Sequence, residues 1–258
     1  MVSRKGLLLC LLLAFSLWGC RHKKEHVGDV RIHFDIQVDG QEVTYHALTY
    51  QNAAGNHYQM DEVRFFVSDF TLISHSGSRY KVPENAGIHY VDNNLAETQD
   101  WLLSKVGEGK YDSVSFVFGL LPDQNLTGYF VNPPENNMSW PDALGGGYHY
   151  MQINGKWLST NDSLKPFNLH TGIGQRWENG EIVEFVQNYF RVTLPLSDCY
   201  VEEETVQNIG IVMDVNEWFQ HPHRFDFEEF GGSIMQDQEA QELLRENGAT
   251  VFSTRMFP

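Results

Sequence analysis

The chain is short of basic residues, of cysteine and of helical patterning. Its 18 Lys and Arg stand against 34 Asp and Glu, a formal net charge of −16 at pH 7. That balance excludes nucleic acid as a partner, because binding phosphate needs a basic surface. There are three cysteines, Cys10, Cys20 and Cys199; the first two sit in the N-terminal segment and leave Cys199 alone. An intrachain disulfide framework is thereby excluded, and a domain of this size can rely on its core. No G-x-S-x-G, H-E-x-x-H or C-x-x-C occurs, and Cys199 has no motif around it, so nothing marks a hydrolase. No internal repeat or low-complexity linker divides the chain. At 41% apolar and 20% charged residues, the composition is that of a folded domain rather than a disordered one.

The N-terminus carries an address. Arg4 and Lys5 precede a thirteen-residue apolar run, Gly6 to Trp18. Such a run is too short for a stable bilayer span and about right for a signal-peptide core. It ends in Leu17-Trp18-Gly19-Cys20. A small residue just before cysteine, directly after such a core, resembles the lipobox of bacterial lipoproteins, although Trp18 is bulkier than usual for its position. The resemblance implies a signal peptide at residues 1–19, cleavage before Cys20, and acylation of Cys20 that anchors the chain to a membrane. An ordinary signal peptide or apolar anchor is the alternative. Residues 20–28 read as a polar tether with solvated His22 and His26. Residues 29–258 read as a single domain of the cell envelope, facing the periplasm or the cell surface.

The dominant pattern in that domain is period-two alternation. Val30, Ile32, Phe34, Ile36 and Val38 alternate without a break, and Asp39-Gly40 offers a tight turn into a strand begun by Val43 and Tyr45. Val63, Phe65 and Val67 alternate, then Phe70 and Leu72 continue after a one-residue shift, the signature of a bulge. Further strands are expected at Val114–Phe118, Tyr148–Ile153, Phe167–His170, Val183–Leu196 and Ile209–Val215. Helix is expected only at Leu95–Val106 and at Asp237–Glu246, where Asn247-Gly248 supplies a stop. The fold class is therefore all-β: an antiparallel β-sandwich with long loops and a short C-terminal helix. Leu120 to Gly147 is a long loop with four prolines and three consecutive glycines. Tyr129, Phe130 and Trp140 favour an ordered, packed loop.

One compact constellation could carry chemistry. The loop ends in Met138-Ser139-Trp140-Pro141 and Gly145-Gly146-Gly147-Tyr148-His149-Tyr150-Met151, and the following strand holds His170. Antiparallel pairing of the two strands would bring His149 and His170 together. Neutral imidazole suits copper and zinc, thioether sulfur favours cuprous copper, and aromatic walls keep water out. His149, His170, Met138 and Met151 are the candidate ligands, with Trp140 and Tyr148 as walls. Beside this stands a plainer alternative. His149 alternates with Met151 and Ile153 and could be a buried histidine bonded to a carbonyl, His170 could face solvent, and two histidines are fewer than most closed sites use.

Several segments resemble the MbnP-like domain family, exported β-rich proteins related to methanobactin-associated and MopE-type copper proteins. They are Tyr50–Gly55, Val63–Leu72, Tyr111 with Phe116–Leu120, Met138-Ser139-Trp140 with Gly147-Tyr148, Gly155, Phe167–Gly172 and Met213–Val215, in family order. The resemblance implies a copper-binding β-sandwich. In some members it also implies a tryptophan oxidised to kynurenine by a partner dihaem peroxidase. By position, Trp140 is the modifiable tryptophan, His170 the best-matched ligand and His149 the second. The sequence departs from the family at Asp142, where a second aromatic is common, and at His149, which follows Tyr148.

His221-Pro222-His223 could bind metal or complete the site, though a solvated loop is the simpler reading, and His33 is a weaker candidate. His57, His75 and His89 fall near turns. The acids Asp226, Glu228 and Glu229 read as a solvated face. The expectation is an envelope lipoprotein, not an enzyme, that binds a transition metal, copper before zinc, for storage, delivery or homeostasis. The alternative is a lipoprotein that recognises a glycan or other organic ligand on an aromatic platform of Trp140, Tyr148 and Tyr150.

Overall fold

A computed structural model describes residues 26–256. The segment expected to be a signal peptide, Cys20 and His22 lie outside the described residues. The domain is a sandwich of two sheets. One holds β1 (Val27–Val38), β2 (Gln41–Glu42), β7 (Asp100–Gly107), β14 (Val206–Asp214) and β15 (Phe252–Met256). The other holds β3 (Tyr50–Gln51), β4 (His57–Ser74), β5 (Arg79–Lys81), β6 (His89–Asp92), β8 (Gly109–Phe118), β9 (Met151–Leu158), β10 (Leu164–Thr171) and β13 (Phe190–Val201). A separate ribbon is formed by β11 (Ile173–Glu178) and β12 (Glu181–Gln187).

Alternation explains how the sheets meet. Val30, Ile32 and Phe34 of one sheet and Val63, Phe65, Phe116, Met151 and Leu169 of the other fill one core. The long strand β4 is apolar on both faces, as a strand covered on both sides must be. Phe65 enters the core between the sheets. Phe66 enters a second cluster with Leu120, Met138, Tyr148 and Tyr150, so the 120–150 loop lies over the outer face of the sheet. This loop is ordered by short 3-10 turns at Glu135–Met138 and Asp142–Leu144.

Five local expectations are corrected. The sandwich is antiparallel except that β1 pairs in parallel with β14, because the chain returns from far in sequence rather than through a hairpin. The hairpin at Asp39-Gly40 forms, but its return strand stops at Glu42, short of Val43 and Tyr45. β7 takes the same edge of β1 from Val27 to His33. Leu95–Val106 is a 3-10 turn, Ala96–Thr98, followed by β7 rather than a helix, since pairing to β1 outweighs local propensity. The C-terminal helix, Gln238–Val251, is capped by Asp237 and runs through Asn247-Gly248. Gly248 does not end the helix; it lets the Phe190 ring approach, for a Cβ there would stand 2.1 Å from that ring. The tether also ends earlier than expected, because β1 begins at Val27 and His26 bonds Glu203 at 2.8 Å.

Candidate metal centre

The site is built where the loop returns to the sheet. Residues 138–140 and 147–149 run antiparallel: Trp140 N–H donates to the Gly147 carbonyl at 2.8 Å, and His149 N–H donates to that of Met138 at 2.7 Å. Asn125 Oδ1 accepts from Tyr148 N–H, and Thr127 Oγ1 accepts from Gly147 N–H. Gly147, at φ +78°, passes so close to Asn125 that a Cβ would sit 2.4 Å from its side-chain oxygen. One requirement of the glycine run is thus close backbone approach.

This closure brings three rings together. The Trp140 ring meets His149 edge to face with centroids 4.7 Å apart, and His149 meets His170 in the same way at 4.9 Å. Trp140 donates its indole N–H to the Leu144 carbonyl at 3.1 Å, and its six-membered ring lies over Gly172, just beyond His170. β9 and β10 are antiparallel neighbours, with His170 opposite Gln152. The expected convergence of the two histidines is therefore present.

His149 is 6% exposed. Its Nδ1 lies 2.8 Å from the Met138 carbonyl, an acceptor only, so Nδ1 carries the proton and Nε2 the lone pair. That Nε2 is buried with no hydrogen-bond partner. His170 is half-buried, with Nε2 2.8 Å from Asn154 Oδ1. Burial, with a smaller push from the Arg64 guanidinium, takes His149 down to about 4. Burial, then His149 and Arg64, takes His170 down to about 3. Both are neutral imidazoles at pH 7, the form that offers a lone pair to a metal. An orphaned buried lone pair beside a second neutral imidazole fits a borderline transition-metal cation. Among the described residues, no group of three or more His, Cys, Asp and Glu side chains gathers to hold an ion.

Other candidates fall elsewhere. Met151 belongs to the core between the sheets, on the face of β9 opposite Gln152 and hence opposite His170. The alternation that groups it with His149 breaks before β9 begins. Met138 is buried in the second cluster and supplies its backbone carbonyl. Tyr148 is buried there too, its hydroxyl donating to the Phe130 carbonyl and accepting from Phe130 N–H. The aromatic platform for a glycan is corrected: Trp140, Tyr148 and Tyr150 are no more than 2% exposed, because they cover the sheet. His221 pairs with Glu217, His223 with Glu246 and His33 with Asp100, so none joins the pair. His89 opens β6, just after a 3-10 turn at Glu84–Gly87, and is stacked on Trp101. Sequence reasoning passed over Arg64, Glu62 and Asn154, which adjoin the pair. Their only signal was charge and polarity inside otherwise apolar strands.

The MbnP family model matches residues 27–236. No curated protein matches the chain. Among solved structures the chain is similar to MbnP from Methylosinus trichosporium, at 15% identity and a TM-score of 0.51, with 89% of this chain and 99% of that chain covered. At that identity the likeness bears on the fold.

Proposed function

Given that the chain belongs to the MbnP family, we propose that it is an exported metal-binding protein whose ion, copper before zinc, is held by His149 and His170. The observation that carries the reading is the buried, unpartnered Nε2 of His149 set against the imidazole of His170. A buried acceptor without a partner costs about 1–3 kcal/mol, and a bound cation would remove that penalty. Trp140 supports the reading as a dry wall on one side of the pair. The neutral state of both rings supports it too, since no proton has to leave before a metal enters at pH 7.

The role is storage, delivery or homeostasis of the metal rather than catalysis. Acylation of Cys20 would hold the domain at a membrane of the cell envelope. Oxidation of Trp140 by a haem-containing partner belongs to the same reading, and intact-mass measurement of the purified chain detects it.

The test is elemental mass spectrometry on a form lacking residues 1–20, purified without a histidine tag and loaded in parallel with Cu(I), Cu(II) and Zn(II). Near-stoichiometric copper that disappears in His170→Ala supports the proposal. Absence of tightly held metal in every condition overturns it.

A further inference from the structure

Behind His170 runs a chain of polar side chains on the outer face of the sheet. The register places Glu62 opposite Asn154 and Arg64 opposite Gln152, which in turn lies opposite His170. An Arg64 guanidinium nitrogen, Nη2, donates to Glu62 Oε2. Asn154 Nδ2 donates to the same oxygen at 2.7 Å, and Asn94 Nδ2 reaches the other carboxylate oxygen at 3.4 Å. Asn154 Oδ1 then lies 2.8 Å from Nε2 of His170.

Donor and acceptor chemistry allows one assignment along this chain. A carboxylate paired with a guanidinium only accepts, so the Asn154 amide must turn its NH₂ toward Glu62. Its oxygen then faces His170. An amide oxygen only accepts, so Nε2 of His170 must carry the proton. The lone pair of His170 is left on Nδ1, whereas that of His149 is on Nε2.

We propose that Glu62, held by Arg64, is a positioning residue that acts through Asn154 to lock His170 as the Nε2–H form, so that the site presents Nδ1 of His170 and Nε2 of His149. The lock itself is a property of the metal-free protein. That these two nitrogens are the ligating atoms rests on the reading of the pair as a metal site. Outer-shell partners of this kind fix ring orientation and raise ligand basicity, and their loss typically lowers metal affinity about 10–100-fold.

The experiment is two-bond ¹H–¹⁵N correlation of the imidazoles in the full-length chain with ¹⁵N-labelled histidine at pH 7, first without metal and then with Cu(I). Without metal, His149 is expected to be protonated at Nδ1 and His170 at Nε2, each with a slowly exchanging ring proton. Asn154→Leu removes the His170 ring-proton signal and leaves that of His149. Glu62→Gln, which keeps the size of the side chain and does not depend on the leucine variant folding, gives a mixed form of His170 and lowers Cu(I) affinity about tenfold. His170 protonated at Nδ1 in the metal-free protein, or locked at Nε2 in both variants, overturns the proposal. With Cu(I), shifts at Nδ1 of His170 and Nε2 of His149 support it, and a shift at Nε2 of His170 overturns the assignment. If neither ring responds to the metal, the metal reading fails while the lock stands on the metal-free spectra.

Discussion

His149 and His170 meet edge to face, with ring centroids 4.9 Å apart and planes at 89°. One comes from the end of a loop and the other from the end of β10, next to its final residue Thr171, so each depends on the other for a shared site. His149→Ala and His170→Ala should each weaken copper binding by more than the ~10–100-fold typical of losing an outer-shell partner. The double variant should be no weaker than either single one, because the first loss already dismantles the pair. Competition against a copper chelator measures all three, and additive losses would show two independent sites.

Gly172 lies under the six-membered ring of Trp140, and a Cβ there would stand 2.8 Å from it. Gly172→Ala should therefore displace the indole and destabilise the domain by about 1–3 kcal/mol, as overpacking does. The near-ultraviolet circular dichroism of tryptophan should change with it. In a Trp140→Phe background, where the ring is smaller, the same substitution should cost less.

His89 is stacked between Phe34 and Trp101 and donates from Nε2 to the Thr98 carbonyl at 2.7 Å. Burial takes it down to about 4 from an ordinary 6.5. Between these values the unfolded chain binds more protons than the folded one, so stability falls as pH drops below about 6.5 and levels off below about 4. From pH 7 to pH 5 this imidazole alone should cost about 2 kcal/mol. His89→Phe keeps the stack and removes the titration. Urea unfolding at the two pH values should show a smaller pH-dependent loss in the variant, and an identical loss would exclude His89 as a contributor.

Asn247 is fully buried within the C-terminal helix. Its amide donates to the Trp218 and His223 carbonyls at 2.8 and 2.7 Å, and its oxygen accepts from His223 N–H at 2.8 Å. Asn247→Leu strands these groups and should destabilise the domain by about 2–3 kcal/mol, read by chemical denaturation. A neutral result would mean that water reaches this corner of the fold.

Much of this architecture was legible because period-two alternation is a local property that burial turns into a core. Val30 to Val38 and the phase shift before Phe70 read correctly, the latter as a bulge between Ser68 and Thr71 where Asp69 takes φ +46°. The Leu95–Val106 segment did not, because its conformation is imposed by pairing with β1 across about seventy residues. Asn247-Gly248 misled for a related reason. A dipeptide that ends helices in isolation is held inside one here by carbonyls from Trp218 and His223.

For the site, residue chemistry alone nominated His149, His170 and Trp140, and antiparallel neighbours were enough to bring the two histidines together. The sequence by itself determined that two imidazoles and an indole lie close along one loop and strand. It also determined the acidic charge and the apolar alternation that sets the sandwich. Only the tertiary structure decided which groups share a face. Met151 went to the core, because alternation within β9 puts it opposite Gln152. Trp140, Tyr148 and Tyr150 were buried rather than displayed, because the outer face of the sheet needed covering. Glu62 and Asn154 came to stand behind His170. Strand register is set by long-range pairing and packing, so it appears in no stretch of sequence read alone.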